Sequence, residues 1–250
     1  MRPVSSRFLN LLIVDPQEFG VEQELLLGRL KPVETGYHRN LRYMDGTRQS
    51  PLNRIVEWVA NNSGQDDSNT YWCYGPPGIG KTPLAHSICA ILHERNHLAG
   101  AFFCKRDDPN LSEPMNILPT FIHRLAILFP PFRTIVAKHL RDDPNLTPLS
   151  MKGSLFVDFI RSLPRHPDHT LAFVIDALDA CGDPRSRPGL LKFLTNAAAQ
   201  APWLKIIITS RTEVDIQQFF DTLTKSSYLS YDLATDQDAS VIREPSPEAG

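Results

Sequence analysis

Eight consecutive residues, Gly75-Pro76-Pro77-Gly78-Ile79-Gly80-Lys81-Thr82, constrain this chain more than any other feature. They satisfy the pattern Gly-x-x-x-x-Gly-Lys-[Ser/Thr]. They also lie between a short run, Tyr71 to Tyr74, and an amphipathic stretch marked by Leu84, Ala85, Ile88 and Leu92. Strand, glycine-rich loop, helix is the context in which the pattern has physical meaning. Glycines let the backbone turn so that successive N–H groups point inward at phosphate oxygens, and the following helix adds its positive N-terminal end. Lys81 then reaches the β- and γ-phosphates of a nucleoside triphosphate, and the Thr82 hydroxyl is a Mg²⁺ ligand. Pro83 is unusual but tolerable there, because a first-turn N–H has no intrahelical partner to lose.

Such a loop needs a parallel sheet behind it, and the remaining pattern supplies one. Ala101-Phe102-Phe103-Cys104, Leu171 to Ile175 and Leu204 to Ile208 are strands apolar on both faces, and a closing strand is expected near 228–233. Helical stretches near 115–128, 132–141, 151–163, 187–200 and 214–221 separate them. Ser50-Pro51 is expected to open an earlier helix, with Ser50 as cap and Leu52, Ile55, Val56 and Val59 on one stripe. The expectation is an α/β fold, a three-layer P-loop NTPase sandwich with a mostly parallel central sheet. Residues 1–45 show no clear period and read as an extension, 46–234 as the NTPase domain, and 235–250 as a disordered tail.

Phe173-Val174-Ile175-Asp176 ends an apolar strand in a carboxylate. That is the form of a Walker B element, in which Asp176 faces the Mg²⁺ beside Thr82; the other reading is a cap on the next turn. Asp179, three residues on, either polarises the attacking water or is a solvated turn residue. Arg211, after the strand end Thr209-Ser210, either senses the γ-phosphate with its charged fork or is a surface arginine. The candidate catalytic residues are thus Lys81, Asp179 and Arg211, and the candidate metal ligands are Thr82 and Asp176.

Composition narrows the partners. With 26 Lys plus Arg against 28 Asp plus Glu, the formal charge of −2 gives no basic face for nucleic acid or an anionic membrane. The run Phe8 to Val14 is too short to span a bilayer and lacks a cleavage site, so a soluble, cytoplasmic chain is expected. The cysteines at 73, 89, 104 and 181 form no Cys-x-x-Cys pair and read as buried free thiols. GTPases of the Ras type read guanine with Asn-Lys-x-Asp; the nearest match, Thr224-Lys225-Ser226-Ser227, lacks the Asp, so ATP is favoured over GTP.

The ordered set of motifs resembles the NACHT domain of STAND signalling NTPases. The form is that of fungal heterokaryon-incompatibility-type proteins and nephrocystin-type N-terminal domains. The pieces that carry the resemblance run over about 46–233. They are Gly46-Thr47-Arg48, Glu57-Trp58, Tyr71-Trp72, Phe102 through Asp108, Asn116-Ile117-Leu118-Pro119, Asp176-Ala177-Leu178-Asp179-Ala180-Cys181 and Thr209-Ser210-Arg211. The resemblance implies a switch in which ATP binding promotes self-association and hydrolysis resets the state. Two departures stand out. The family usually has Glu where this chain has Ala180, which bears on hydrolysis more than on binding. Family members also continue into helical and winged-helix modules and repeats, whereas this chain ends soon after its last strand, like the motor of a switch without latch or sensor. A small-molecule or nucleotide kinase and a nucleotide-bound scaffold without hydrolysis are the alternatives.

Overall fold

The computed structural model describes residues 20–41, 49–60, 68–146, 153–161, 169–224 and 226–235. The lead-in Gly46-Thr47-Arg48, the run Phe8 to Val14, Lys225 and residues 236–250 lie outside them. Five strands form one sheet: β1 (Thr70–Tyr74), β2 (Leu98–Phe103), β3 (Leu171–Asp176), β4 (Leu204–Ser210) and β5 (Leu229–Asp232). Their spatial order is β2-β3-β4-β1-β5, and every pairing is parallel. The expected "mostly parallel" sheet is therefore parallel throughout among the described residues. β4 is inserted between the strand that leads into the glycine loop and the strand that ends in Asp176.

The helices are α1 (Val21–Gly28), α2 (Gln49–Ala60), α3 (Lys81–Glu94), α4 (Ile117–Leu128), α5 (Pro130–Asp142), α6 (Gly153–Arg161), α7 (Arg187–Gln200) and α8 (Val214–Thr222). Alternation along each strand divides the core in two. Tyr71, Cys73, Ala101, Phe103, Ala172, Val174 and Ile207 pack with Leu52, Ile55 and Val59 of α2 and Leu84, Ile88 and Leu92 of α3. Trp72, Phe102, Phe173, Ile175, Ile206 and Ile208 face the other way, into a larger cluster with α1 and α4 to α8. Phe121 of α4 stacks on Phe173 with centroids 3.8 Å apart. The result is the three-layer sandwich expected from the sequence.

Some boundaries differ, each for a local reason. α2 starts at Gln49, so Ser50 lies inside the first turn instead of capping it. Pro51 is still in that turn, where its missing N–H costs nothing. Phe129, ahead of Pro130, is held extended at φ −130° and ψ 96°, and this breaks α4 from α5.

Residues 20–41, which carry no clear period, are packed into the domain. Leu27 and Leu30 are buried in the larger cluster. Arg29 donates to the backbone oxygens of Leu140, Asp143, Pro144 and Leu146, tying α1 to the C-terminal end of α5. The chain then crosses the edge strand β2. The Val33 N–H donates to Thr120 Oγ1 of α4, Thr35 Oγ1 accepts from the N–H of Phe103, and the His38 N–H donates to His86 Nδ1 of α3. An otherwise open edge is thereby covered.

Candidate nucleotide-binding site

Parallel pairing places every strand's C-terminal end at one rim, where open α/β sheets bind their ligands. Tyr74 is level with Ser210 and Asp232, and Asp176 with Phe103. The loop Gly75 to Thr82 leaves β1 at this rim. Gly78 and Gly80 have φ of 76° and 93°, a left-handed conformation that a residue with a Cβ enters only at a cost. These turns swing the chain so that α3 begins at Lys81, with Gly80 as its cap and the Leu84 N–H bonded to the Gly80 oxygen. A Cβ on Gly75 would lie 3.1 Å from Ile79 Cγ2, which is how tightly the loop closes.

Lys81 Nζ donates to the oxygens of Gly75 and Pro76 at 2.7 and 2.8 Å, so the ammonium is held over the start of the loop. Burial lowers its pKa; Asp179 and Asp176 oppose that shift, while Arg211 adds to it. All four sequence-predicted charged residues therefore share one electrostatic neighbourhood.

Asp176 is 2% exposed at the end of β3. Its Oδ2 accepts from Thr82 Oγ1 at 2.7 Å and its Oδ1 from Thr209 Oγ1 at 2.5 Å. Burial raises its pKa, and the two threonine bonds and Lys81 counter this by favouring the carboxylate. A hydroxyl and a buried carboxylate in contact are hard oxygen donors. They suit a magnesium ion that takes its remaining ligands from phosphate and water. Among the described residues no group of three or more His, Cys, Asp or Glu is placed to hold a metal by itself.

Past Asp176 the backbone turns sharply. Ala177 has φ 56° and ψ 47°, a left-handed residue that is not glycine, and its N–H donates to Thr209 Oγ1 at 3.0 Å. The turn brings Asp179 back to the rim in a single 3₁₀ turn, Leu178–Ala180. Asp179 is 6% exposed, so it is not a solvated turn residue. Its Oδ1 accepts the N–H of Arg211 at 2.9 Å and its Oδ2 lies 3.2 Å from Arg211 Nε. Arg211 is half-exposed and paired, which distinguishes it from a free surface arginine. Beyond Asp179 opens a cavity of about 490 Å³ lined in part by Arg106, Ala180, Gly182, Arg187 and Glu213.

Two features lie outside the candidate site residues read from the sequence. Arg187, the first residue of α7, is 5% exposed, pairs with Asp215 through both carboxylate oxygens at 2.8 and 2.9 Å, and donates to the backbone oxygen of Asp179. It ties the Asp179 turn to the start of α8. Thr209 is the other: the sequence shows it as the first residue of the strand-end motif Thr209-Ser210-Arg211, but not that its hydroxyl meets Asp176.

A profile of the family described as "Nephrocystin 3, N-terminal" matches residues 47–211, from α2 through the rim residue Arg211. The chain belongs to the nephrocystin 3 N-terminal domain family. It is a P-loop NTPase domain, and its glycine loop and acidic strand both fall inside the matched span. Among curated proteins, this nephrocystin-type domain is 27% identical over 195 residues to the vegetative incompatibility protein HET-E-1 of Podospora anserina. The match covers 70% of the chain and 14% of that relative, so the chain spans a small part of the relative's length. Solved structures of similar shape include the ORC2 protein of Aeropyrum pernix in ADPNP–ADP complexes. It has a TM-score of 0.45 and 14% identity over 78% of this chain and 51% of that one. A Walker-type ATPase of Pyrococcus abyssi gives a TM-score of 0.43 and 16% identity over 84% and 59%. At scores this low neither adds to what the sheet order already shows. Among the described residues no helix is long and apolar enough to cross a membrane.

Proposed function

We propose that this domain is the nucleotide-operated module of a cytoplasmic signalling switch, binding ATP in preference to GTP, with Mg²⁺, and hydrolysing it slowly. The observation that carries the reading is the meeting of Thr82 and Asp176 at 2.7 Å beside Lys81, at the mouth of the Gly75 to Thr82 loop. Lys81 exchanges the Gly75 and Pro76 oxygens for β- and γ-phosphate oxygens, and the loop N–H groups take the rest of the triphosphate. Thr82 and Asp176 would hold Mg²⁺, which when bound neutralises charge on the phosphoryl group being transferred. Arg211 is the γ-phosphate sensor. Moving to that phosphate takes its guanidinium off Asp179, which then orients the attacking water. The absence of Asn-Lys-x-Asp supports ATP, and the relationship to an incompatibility protein supports a signalling role; nucleotide-dependent self-association is what the resemblance to NACHT domains implies.

Binding isotherms for ATP, ADP and GTP with wild type and Lys81→Ala, alongside single-turnover hydrolysis, test this reading. Lys81→Ala is expected to lose Mg·ATP binding and keep its circular dichroism; unchanged affinity overturns the proposal. A second reading, a nucleotide-bound scaffold without hydrolysis, draws on Ala180 and on the engagement of both Asp179 oxygens by Arg211. Tight ATP binding with no turnover decides for it.

A further inference from the structure

We propose that Thr209 is a positioning residue that sets how tightly the nucleotide-bound site holds Mg²⁺, acting through Asp176. The inference rests on the reading of Thr82 and Asp176 as the residues that hold the ion. Thr209 is fully buried, one residue from the end of β4, the strand inserted between the loop strand and the acidic strand. It is level with Cys73 of β1, and its neighbour Ile208 is level with Ile175 of β3. Its single hydroxyl does two things. It donates to Asp176 Oδ1 at 2.5 Å, and it accepts the Ala177 N–H at 3.0 Å.

Those two bonds fix different degrees of freedom. The bond to Oδ1 stops rotation of the Asp176 carboxyl about its terminal torsion, which is otherwise broad and roughly two-fold. With Oδ1 occupied, Oδ2 is the oxygen that faces Thr82, and the Thr82 hydroxyl must donate to it, leaving its own lone pairs for a cation. The bond from Ala177 holds the left-handed residue that redirects the chain behind Asp176. Loss of the hydroxyl frees the carboxyl to rotate and leaves Oδ1 buried without its donor. Partners of this kind, one step behind a metal ligand, typically change metal affinity by about 10- to 100-fold.

The test is a Mg²⁺ titration of the binding of a fluorescent ATP analogue to the full chain, with a second isotherm in EDTA. Thr209→Val keeps the shape and removes the hydroxyl; it is expected to raise the Mg²⁺ concentration at half-response by about tenfold or more. Binding in EDTA should change less than about twofold, and Thr209→Ser should restore the wild-type titration to within about threefold. The pair Thr209→Val and Asp176→Asn is combined to separate positioning from general damage. If Thr209 acts through Asp176, the double variant responds to Mg²⁺ no worse than Asp176→Asn alone. A full Mg²⁺ response in Thr209→Val, equal losses with and without Mg²⁺, or additive losses in the double variant overturn the assignment. A wild type that binds no nucleotide fails the proposed function itself, and the Thr209 assignment with it.

Discussion

Asp179 and Ala180 sit side by side at the rim, and they differ in what holds them. Asp179 has both carboxylate oxygens taken by Arg211, whereas the Ala180 methyl borders the cavity shared with Arg106, Arg187 and Glu213. A longer side chain at 180 thus has space beside Asp179, and a second carboxylate there would not need to compete for Arg211. Ala180→Glu is expected to raise single-turnover ATP hydrolysis by about 10²-fold, the usual contribution of a positioned general base. Nucleotide affinity should change little, because the gain arises in the transition state. Rapid turnover by wild type with no gain in the variant would show that Asp179 suffices once Arg211 has left it. The residue scale is also where sequence reading falls short. That Lys81, Thr82 and Asp176 meet is legible, because the glycine pattern and the strand end place them at one rim. The roles of Thr209 and Arg187 are not: Thr209 stands in the strand-end motif Thr209-Ser210-Arg211, but its partner Asp176, like the Asp215 partner of Arg187, is chosen by sheet order and helix placement.

At the scale of elements, strands and helices were legible wherever burial imposed a period. β3 is apolar on both faces up to its terminal Asp176, and the period of α7 matches its bounds. β4 is apolar at Leu204 and Ile206 to Ile208 but carries a buried Lys205, whose ammonium donates to Asn69 Oδ1 at 2.8 Å, so the expected apolar run is interrupted there. α1 is not legible, because only Leu27 of its eight residues is buried, while Val21 and Leu25 are 74% and 70% exposed. α3 shows how an element's packing bears on the site it carries. His86, in the second turn after Lys81, is buried, stacks on Phe103 at 4.2 Å, and accepts the His38 N–H on Nδ1. Burial, with the charges of His38 and Lys105 adding to it, pushes its pKa down from 6.5 to about 4. Between those values the unfolded chain binds more protons than the folded one, so stability falls as pH drops from about 6.5 toward about 4. Urea midpoints of wild type are expected to fall between pH 7 and pH 5. His86→Phe, which keeps a ring against Phe103 but cannot titrate, should start lower at pH 7 and show a flatter dependence. Parallel curves for the two proteins would remove His86 from the account.

At the scale of the molecule, the family match and the packed core have different limits. The match starts at residue 47, yet the core reaches back to Leu27. Leu27 and Leu30 are 2% and 0% exposed, and burial of each is worth about 1.5–3 kcal/mol. Arg29 satisfies four backbone oxygens around the end of α5, and Thr35 accepts the N–H that Phe103 presents on the free side of an edge strand. Removing all of this leaves part of the larger core open to water and a buried edge donor without its acceptor. The combined loss, above about 4 kcal/mol, is a large share of the roughly 5–15 kcal/mol that holds a domain folded. A chain shortened to 46–250 is therefore expected to lose its cooperative urea transition or to show a much lower midpoint, with self-association through the exposed core. Leu30→Ala in the full chain isolates one part of the effect and should cost about 2–5 kcal/mol. If the shortened chain unfolds at the full chain's midpoint, α1 and the crossing over β2 lie outside the cooperative unit, and the domain begins where the family match does.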